Sequence, residues 1–187
     1  MRFFDFDFLK PKRSPVEEHA KRVFQLAAEA GDATRKFFKE SGEELNTHAW
    51  FGVVMEYHNL YLQLTDRAIF GRIPETKRQV LMSDFAGLCI NTTVSAICQG
   101  WGDEHITKIR KECMDNYKKS FLDYGVCKKL FPEKEEGTGG TMIWEFSKTV
   151  AGIVGHELDI AYMMFFTQLV DFKHLHLKEF VEGVSKL

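Results

Sequence analysis

The stretch GVVMEYHNLYLQLTDRAIFG, residues 52–71, most constrains the fold. It carries no proline and is bounded by glycines, and its apolar residues recur at helical spacing. Wound at about 100° per residue from Glu56, residues His48, Gly52, Asn59, Gln63, Asp66 and Arg67 fall within roughly 80° of it. Phe51, Val54, Tyr61, Leu62 and Ile69 take the far side, together with His58. More than half the circumference is apolar, so this helix belongs at the centre of a bundle with one narrow polar strip. Glu56 and His58 point in nearly opposite directions and cannot share one ion.

The rest of the chain supplies the other helices. Ser14, Pro15 and Glu17 form a start signal of cap, first-turn proline and capping-box acid. The first helix follows, with Gly31–Asp32 as a break or cap before Phe37 and Phe38. The second begins near Asn46 or Thr47. The third begins at Pro74 and reaches Cys98 or Gly100. The fourth runs from Glu104 to about Phe131, with Gly125 a break point. PEKEEGTGG, residues 132–140, is a loop. The fifth is expected from Thr141 to Lys173, and HLKEFVEGVSKL closes the chain. After residue 13 no period-two segment competes. The reading is an all-α fold: an antiparallel bundle of five to six helices over residues 14–187, behind an extended N-terminal arm, residues 1–13. In that arm Phe4, Phe6 and Phe8 alternate with Asp5 and Asp7, giving one apolar edge for its own domain or a second subunit.

Composition narrows the class. A net charge of -2 over 187 residues gives no global attraction to nucleic acid. The longest apolar run, IAYMMFFTQLV at 160–170, is too short to span a bilayer. The N-terminus lacks the features of a signal peptide. Cys89, Cys98, Cys113 and Cys127 form no CxxC pair, and no two on one helix can meet. Free thiols and a cytoplasmic location are expected. Lys128 and Lys129 beside Cys127 are the one feature that could lower a thiol pKa. Seventeen phenylalanines suggest an aromatic core, an apolar pocket or a buried subunit interface.

Polar residues on the fifth helix complete the candidates. Continued without a break, it places Glu145, Lys148, Thr149, Asp159 and Thr167 on the face of His156. His156 and Asp159, at i and i+3, can present two ligands to one ion, with Glu56 of the second helix as a third. Such a carboxylate–imidazole set suits iron, manganese or zinc. Glu157 falls in the apolar arc instead and needs a buried partner, as does His58. His19 and His105 sit in charged surface patterns.

EYHNLYLQLTDRAIF, YGVCKKLF and WEFSKTVAGIVGHE resemble segments of an uncharacterised family of bacterial all-helical proteins. The resemblance implies a cytoplasmic bacterial protein with an all-helical fold, and it brings no activity or cofactor. Two functions stand open. One is a non-enzymatic bundle acting through protein contacts, itself included. The other is a bundle holding a metal or small ligand between its second and fifth helices. The polar strip decides between them: it either meets solvent, with Arg67 reaching Gln63 or Asp66, or lines an internal polar cavity.

Overall fold

The computed structural model describes residues 14–131 and 140–186, so the Phe4, Phe6 and Phe8 arm and nearly all of the 132–140 loop lie outside the described residues. The fold is all-helical. Seven helices occur among the described residues: α1 (Pro15–Glu40), α2 (Thr47–Ile69), α3 (Glu75–Ile97), α4 (Asp103–Gly125), α5 (Met142–Ile153), α6 (Ile160–Gln168) and α7 (Leu177–Val184).

Local chemistry sets the helix starts. The Ser14 hydroxyl accepts from the Glu17 amide at 3.2 Å, and the Glu17 carboxylate accepts from the Ser14 amide at 2.9 Å. That reciprocal pair satisfies two amides that a helix start leaves bare. Asn46 caps α2 by accepting from the Ala49 amide at 2.8 Å. α1 does not break at Gly31. A Cβ there would lie 2.5 Å from Val54 Cγ2 and 3.1 Å from Trp50 Nε1. The glycine serves the close approach of α1 to α2, and Trp50 Nε1 donates to Asp32 Oδ1 at 3.1 Å beside it.

α2 is the centre. It packs against α1, α3, α4, α5 and α7, and every residue from Val53 to Asp66 is buried. Its apolar arc meets Val23, Ala27, Phe146 and Phe166 in the main core. Tyr57 donates to the Phe166 carbonyl at 2.7 Å, and Tyr61 accepts from the Asp171 amide at 3.1 Å. α3 is long and apolar enough, by length and composition, to cross a membrane. It turns Met82, Phe85, Cys89 and Ile90 inward and Ser83, Asp84, Asn91 and Ser95 outward, the pattern of a helix on a core.

Two expected helices are shorter than their periodicity suggests. α4 stops at Gly125, and the segment after it folds back so that the Met142 and Ile143 amides donate to the Lys129 and Leu130 carbonyls. The expected fifth helix divides into α5 and α6, because Gly155 and Leu158 take left-handed φ values of 84° and 62°. Asp159 then restarts the chain by accepting from the Ala161 and Tyr162 amides at 2.9 and 3.4 Å. Glu43, from the α1–α2 connection, clamps the turn. One carboxylate oxygen meets His156 Nε2 at 3.3 Å and the other accepts from the Tyr162 hydroxyl at 3.1 Å. The His156 and Tyr162 rings stack at 3.7 Å.

Candidate functional site

The break between α5 and α6 decides the fate of the expected ligand set. Glu56, His156 and Asp159 are not brought together. His156 is taken by Glu43 and Tyr162, Asp159 is spent on the α6 cap, and Glu56 belongs to a different neighbourhood. Among the described residues no group of three His, Cys, Asp or Glu side chains is placed to hold a metal ion. Glu157, expected in the apolar arc, is exposed, because the turn rotates it away from the α5 face.

The polar strip of α2 is real and buried along its middle, although His48 at its start is exposed. Glu56, Asn59, Gln63 and Asp66 are all buried, beneath the second half of α4 and the start of α3. Arg67 does not turn to Gln63 or Asp66. Its Nη2 donates to the carbonyls of Tyr124, at 2.8 Å, and of Cys127, tying α2 to the end of α4. Those carbonyls lie where α4 runs out of helical partners, so the guanidinium caps it.

The two ends of this seam differ. At one end Asp66 forms an ion pair with Arg78 of α3, whose other donors reach Glu75 at 2.9 and 2.8 Å. A groove of about 350 Å³ opens there between Gln63, Arg67, Phe70 and Phe121. At the other end sits Glu56, 2% exposed and with no ion pair among the described residues. The Tyr124 hydroxyl donates to one oxygen of its carboxyl, and Asn59 Nδ2 donates to the other at 3.3 Å. Burial pushes the Glu56 carboxyl above the usual range, against the pull of those two hydrogen bonds. Burial first, then the Glu56 charge, pushes the Tyr124 phenol up as well.

Glu56 forms the floor of a cleft of about 510 Å³ between α2, α4 and α5. Asn116, Ser120 and Tyr124 recur every four residues along the α4 wall, and Glu145, Lys148 and Thr149 form the α5 wall. Lys119 and Asp123 stand at the rim. Pockets that hold small ligands run to roughly 300–1,000 Å³, so this one is of serviceable size. An unsatisfied atom lies behind the floor. Asn59 Oδ1 is buried with no hydrogen-bond partner, while its Nδ2 reaches Glu56 and, at 3.2 Å, Ser120 Oγ.

Two histidines are buried elsewhere. His58 is 0% exposed, and neither ring nitrogen has a partner; burial pushes its pKa down to about 4. His19 was expected at the surface and is instead stacked between Phe85 and Phe180, at 5.3 and 4.2 Å. Its Nε2 lies 3.0 Å from Thr65 Oγ1, whose own hydrogen goes to the Tyr61 carbonyl. His19 must therefore donate from Nε2, which leaves Nδ1 as an unpaired acceptor. Burial is the main cause of its pKa of about 3. The signal was there: His19 falls three residues after Val16 and four before Val23, on the apolar face of α1. Cys127 is no activated nucleophile, since burial pushes its thiol up despite the neighbouring lysines.

No family model, no curated protein and no solved structure matches this chain.

Proposed function

We propose that the protein is a non-enzymatic ligand-binding bundle whose site is the cleft floored by Glu56. The observation that carries this reading is a carboxyl group buried at the base of a cleft, with hydrogen bonds but no counter-charge among the described residues. An ionisable group buried without a charge partner works against folding, so stability alone does not account for it. The Glu56 carboxyl at the floor gives a ligand a polar group to read, and the cleft gives it volume. The four thiols, all pushed up by burial, supply no nucleophile, which favours binding over covalent chemistry. Their free, buried state also suits a cytoplasmic protein.

The test is a thermal-shift and isothermal-calorimetry screen with small polar molecules of differing charge. At least one should stabilise the protein, and its effect should vanish in Thr149→Phe, which fills the cleft from the α5 wall. A screen with no binder, or binders indifferent to Thr149→Phe, would overturn the reading.

A second reading, self-association, has its own observation. Leu158, Ile160 and Met164 are 62%, 63% and 59% exposed at the start of α6, and Ile160 and Met164 share one face. Apolar groups clustered in this way suit an interface between copies. Sedimentation of the full chain should show an oligomer that Ile160→Glu with Met164→Glu dissociates. A monomeric parent protein would end this reading.

A further inference from the structure

We infer that the ligand of the Glu56 cleft is an organic ammonium compound, with its NH3+ group on Glu56 and a neutral or acidic tail reaching toward Lys119. This rests on the cleft being a binding site and adds the class of molecule that it takes.

The argument is an inventory of donors and acceptors. Around Glu56 itself the side-chain donors are committed, while Lys148 and the Asn116 amide keep N–H groups higher on the walls. Tyr124 donates to Glu56 and Asn59 donates to Glu56 and Ser120. Ser120 donates to Asn116 Oδ1 at 3.4 Å. Thr149 donates to the Glu145 carbonyl at 2.9 Å, and Lys148 to the Glu145 carboxylate. What remains unspent around the floor is acceptor capacity. Each Glu56 oxygen has a second lone pair, Asn59 Oδ1 has no partner at all, and Asp123 has no ion pair among the described residues. An alcohol would supply one hydrogen and an anion none. An ammonium group supplies three, directed at several acceptors at once.

Charge gives the same answer. The cleft holds three carboxyl groups, Glu56, Asp123 and Glu145, against two lysines, Lys119 and Lys148. Lys148 is already paired with Glu145. With Glu56 ionised, one negative charge is therefore in excess, and it sits at the deepest point. A cation placed there completes the ion pair that Glu56 lacks. Lys119, exposed at the rim and unpaired among the described residues, is set to meet a carboxylate at the other end of the same molecule. The groups facing Glu56 are then Tyr124, Asp123, Lys119 and Cys127 from α4 and the segment after it, and Glu145 and Lys148 from α5. Of the two cleft carboxylates without an ion pair among the described residues, Glu56 and Asp123, only Glu56 is buried, so an amine on the floor changes its surroundings most. Binding should thus drive Glu56 to its carboxylate form and release a proton wherever the free protein holds that carboxyl protonated.

Calorimetry with n-butylamine, 4-aminobutyrate, 1-butanol and butyrate separates the possibilities. The two amines should bind. At pH values above the ordinary carboxylate range and below the raised ionisation of Glu56 they should release protons, read from runs in buffers of different ionisation enthalpy. Glu56→Gln should weaken amine binding by about tenfold or more and abolish the proton release. Lys119→Ala should remove any preference for 4-aminobutyrate over n-butylamine while leaving n-butylamine bound. Circular dichroism melts establish that each variant is folded, and Lys119→Ala, at an exposed position, carries the comparison if Glu56→Gln is not. Binding of 1-butanol or butyrate as tight as that of the amines, and sensitive to Thr149→Phe, would overturn the ammonium assignment and keep the cleft. Failure of both amines to bind would overturn the assignment outright. Failure of every member of the wider screen would overturn the cleft reading as well.

Discussion

Replacing Tyr124 by phenylalanine removes one oxygen from the floor of the cleft and tests the reasoning directly. Tyr124 is 2% exposed, and its hydroxyl is the donor nearest to the buried Glu56 carboxyl. Hydrogen bonds to a charged group contribute about 1.5–3 kcal/mol, against about 1 kcal/mol for neutral pairs. The loss should therefore depend on the charge of Glu56. Its carboxyl is raised above the unfolded value, so its contribution to stability is complete below the unfolded carboxyl range. That contribution is lost as pH rises through the folded ionisation. The Tyr124 bond opposes the rise, and deleting it moves the folded ionisation further up. Tyr124→Phe should then cost about 1 kcal/mol in acid and about 1.5–3 kcal/mol where Glu56 is ionised. For a chain of this length each kcal/mol shifts Tm by roughly 2–4 °C, so the fall should be about 3–12 °C on the alkaline side. Melts of the parent, Tyr124→Phe, Glu56→Gln and the double variant, each across pH, give a full cycle. In the Glu56→Gln background the Tyr124→Phe loss should shrink to the neutral value at every pH. Equal losses at all pH values, and additivity of the two changes within about 0.5 kcal/mol, would refute the coupling.

The other expectations are briefer. Gly31→Ala should destabilise by up to about 2 kcal/mol, because overpacking against Val54 outweighs the gain in helix propensity. Gly87→Ala in α3, where nothing lies within 4 Å of the new Cβ, should stabilise by about 0.5–1 kcal/mol; urea melts of both variants check the pair. Asp159→Ala should lower stability by about 1 kcal/mol and raise amide exchange in the first turn of α6, since it removes the acceptor for two amides there. His58, pushed down to about 4 by burial, is neutral in the fold and charged when unfolded below about pH 6.5. Stability should therefore fall by about 3 kcal/mol as pH drops from the unfolded value through the folded one. His58→Leu should remove that part of the acid sensitivity in a pH series of melts.

What was legible in the sequence divides by range. Ser14 with Glu17 and Asn46 are settled by residues within one helical turn, and both stand where the sequence puts them. The angular grouping of Glu56, Asn59, Gln63 and Asp66 was also legible, since helix geometry fixes it. What covers the strip was not. The α4 sequence is polar over most of its length, and only Cys113, Ser120 and Tyr124 are buried on the side that packs inward. The division of the fifth helix was hidden for another reason. Apolar periodicity runs straight through Gly155, and the turn is held by Glu43, more than a hundred residues away in the chain. A Gly followed four residues later by an Asp with N-cap geometry was the local sign available. His19 had an apolar-face position that its charged neighbours concealed.

The asymmetry of the α2 seam separates its structural end from its functional one. At Asp66 the polar chain closes on itself. Arg78 meets Asp66 and Glu75, and Arg67 meets two α4 carbonyls, so each buried charge there has an opposite charge or a carbonyl acceptor. That is how an interior ion pair is made tolerable, with its remaining donors satisfied. The Glu56 end has the same burial and none of the closure. Its carboxyl has hydrogen bonds but no cation among the described residues, and the cleft opens above it. One helix thus carries two solutions to the same problem of burying a carboxylate. In the first the compensating charge belongs to the chain. In the second no described residue supplies it, and under the proposed function a bound molecule does.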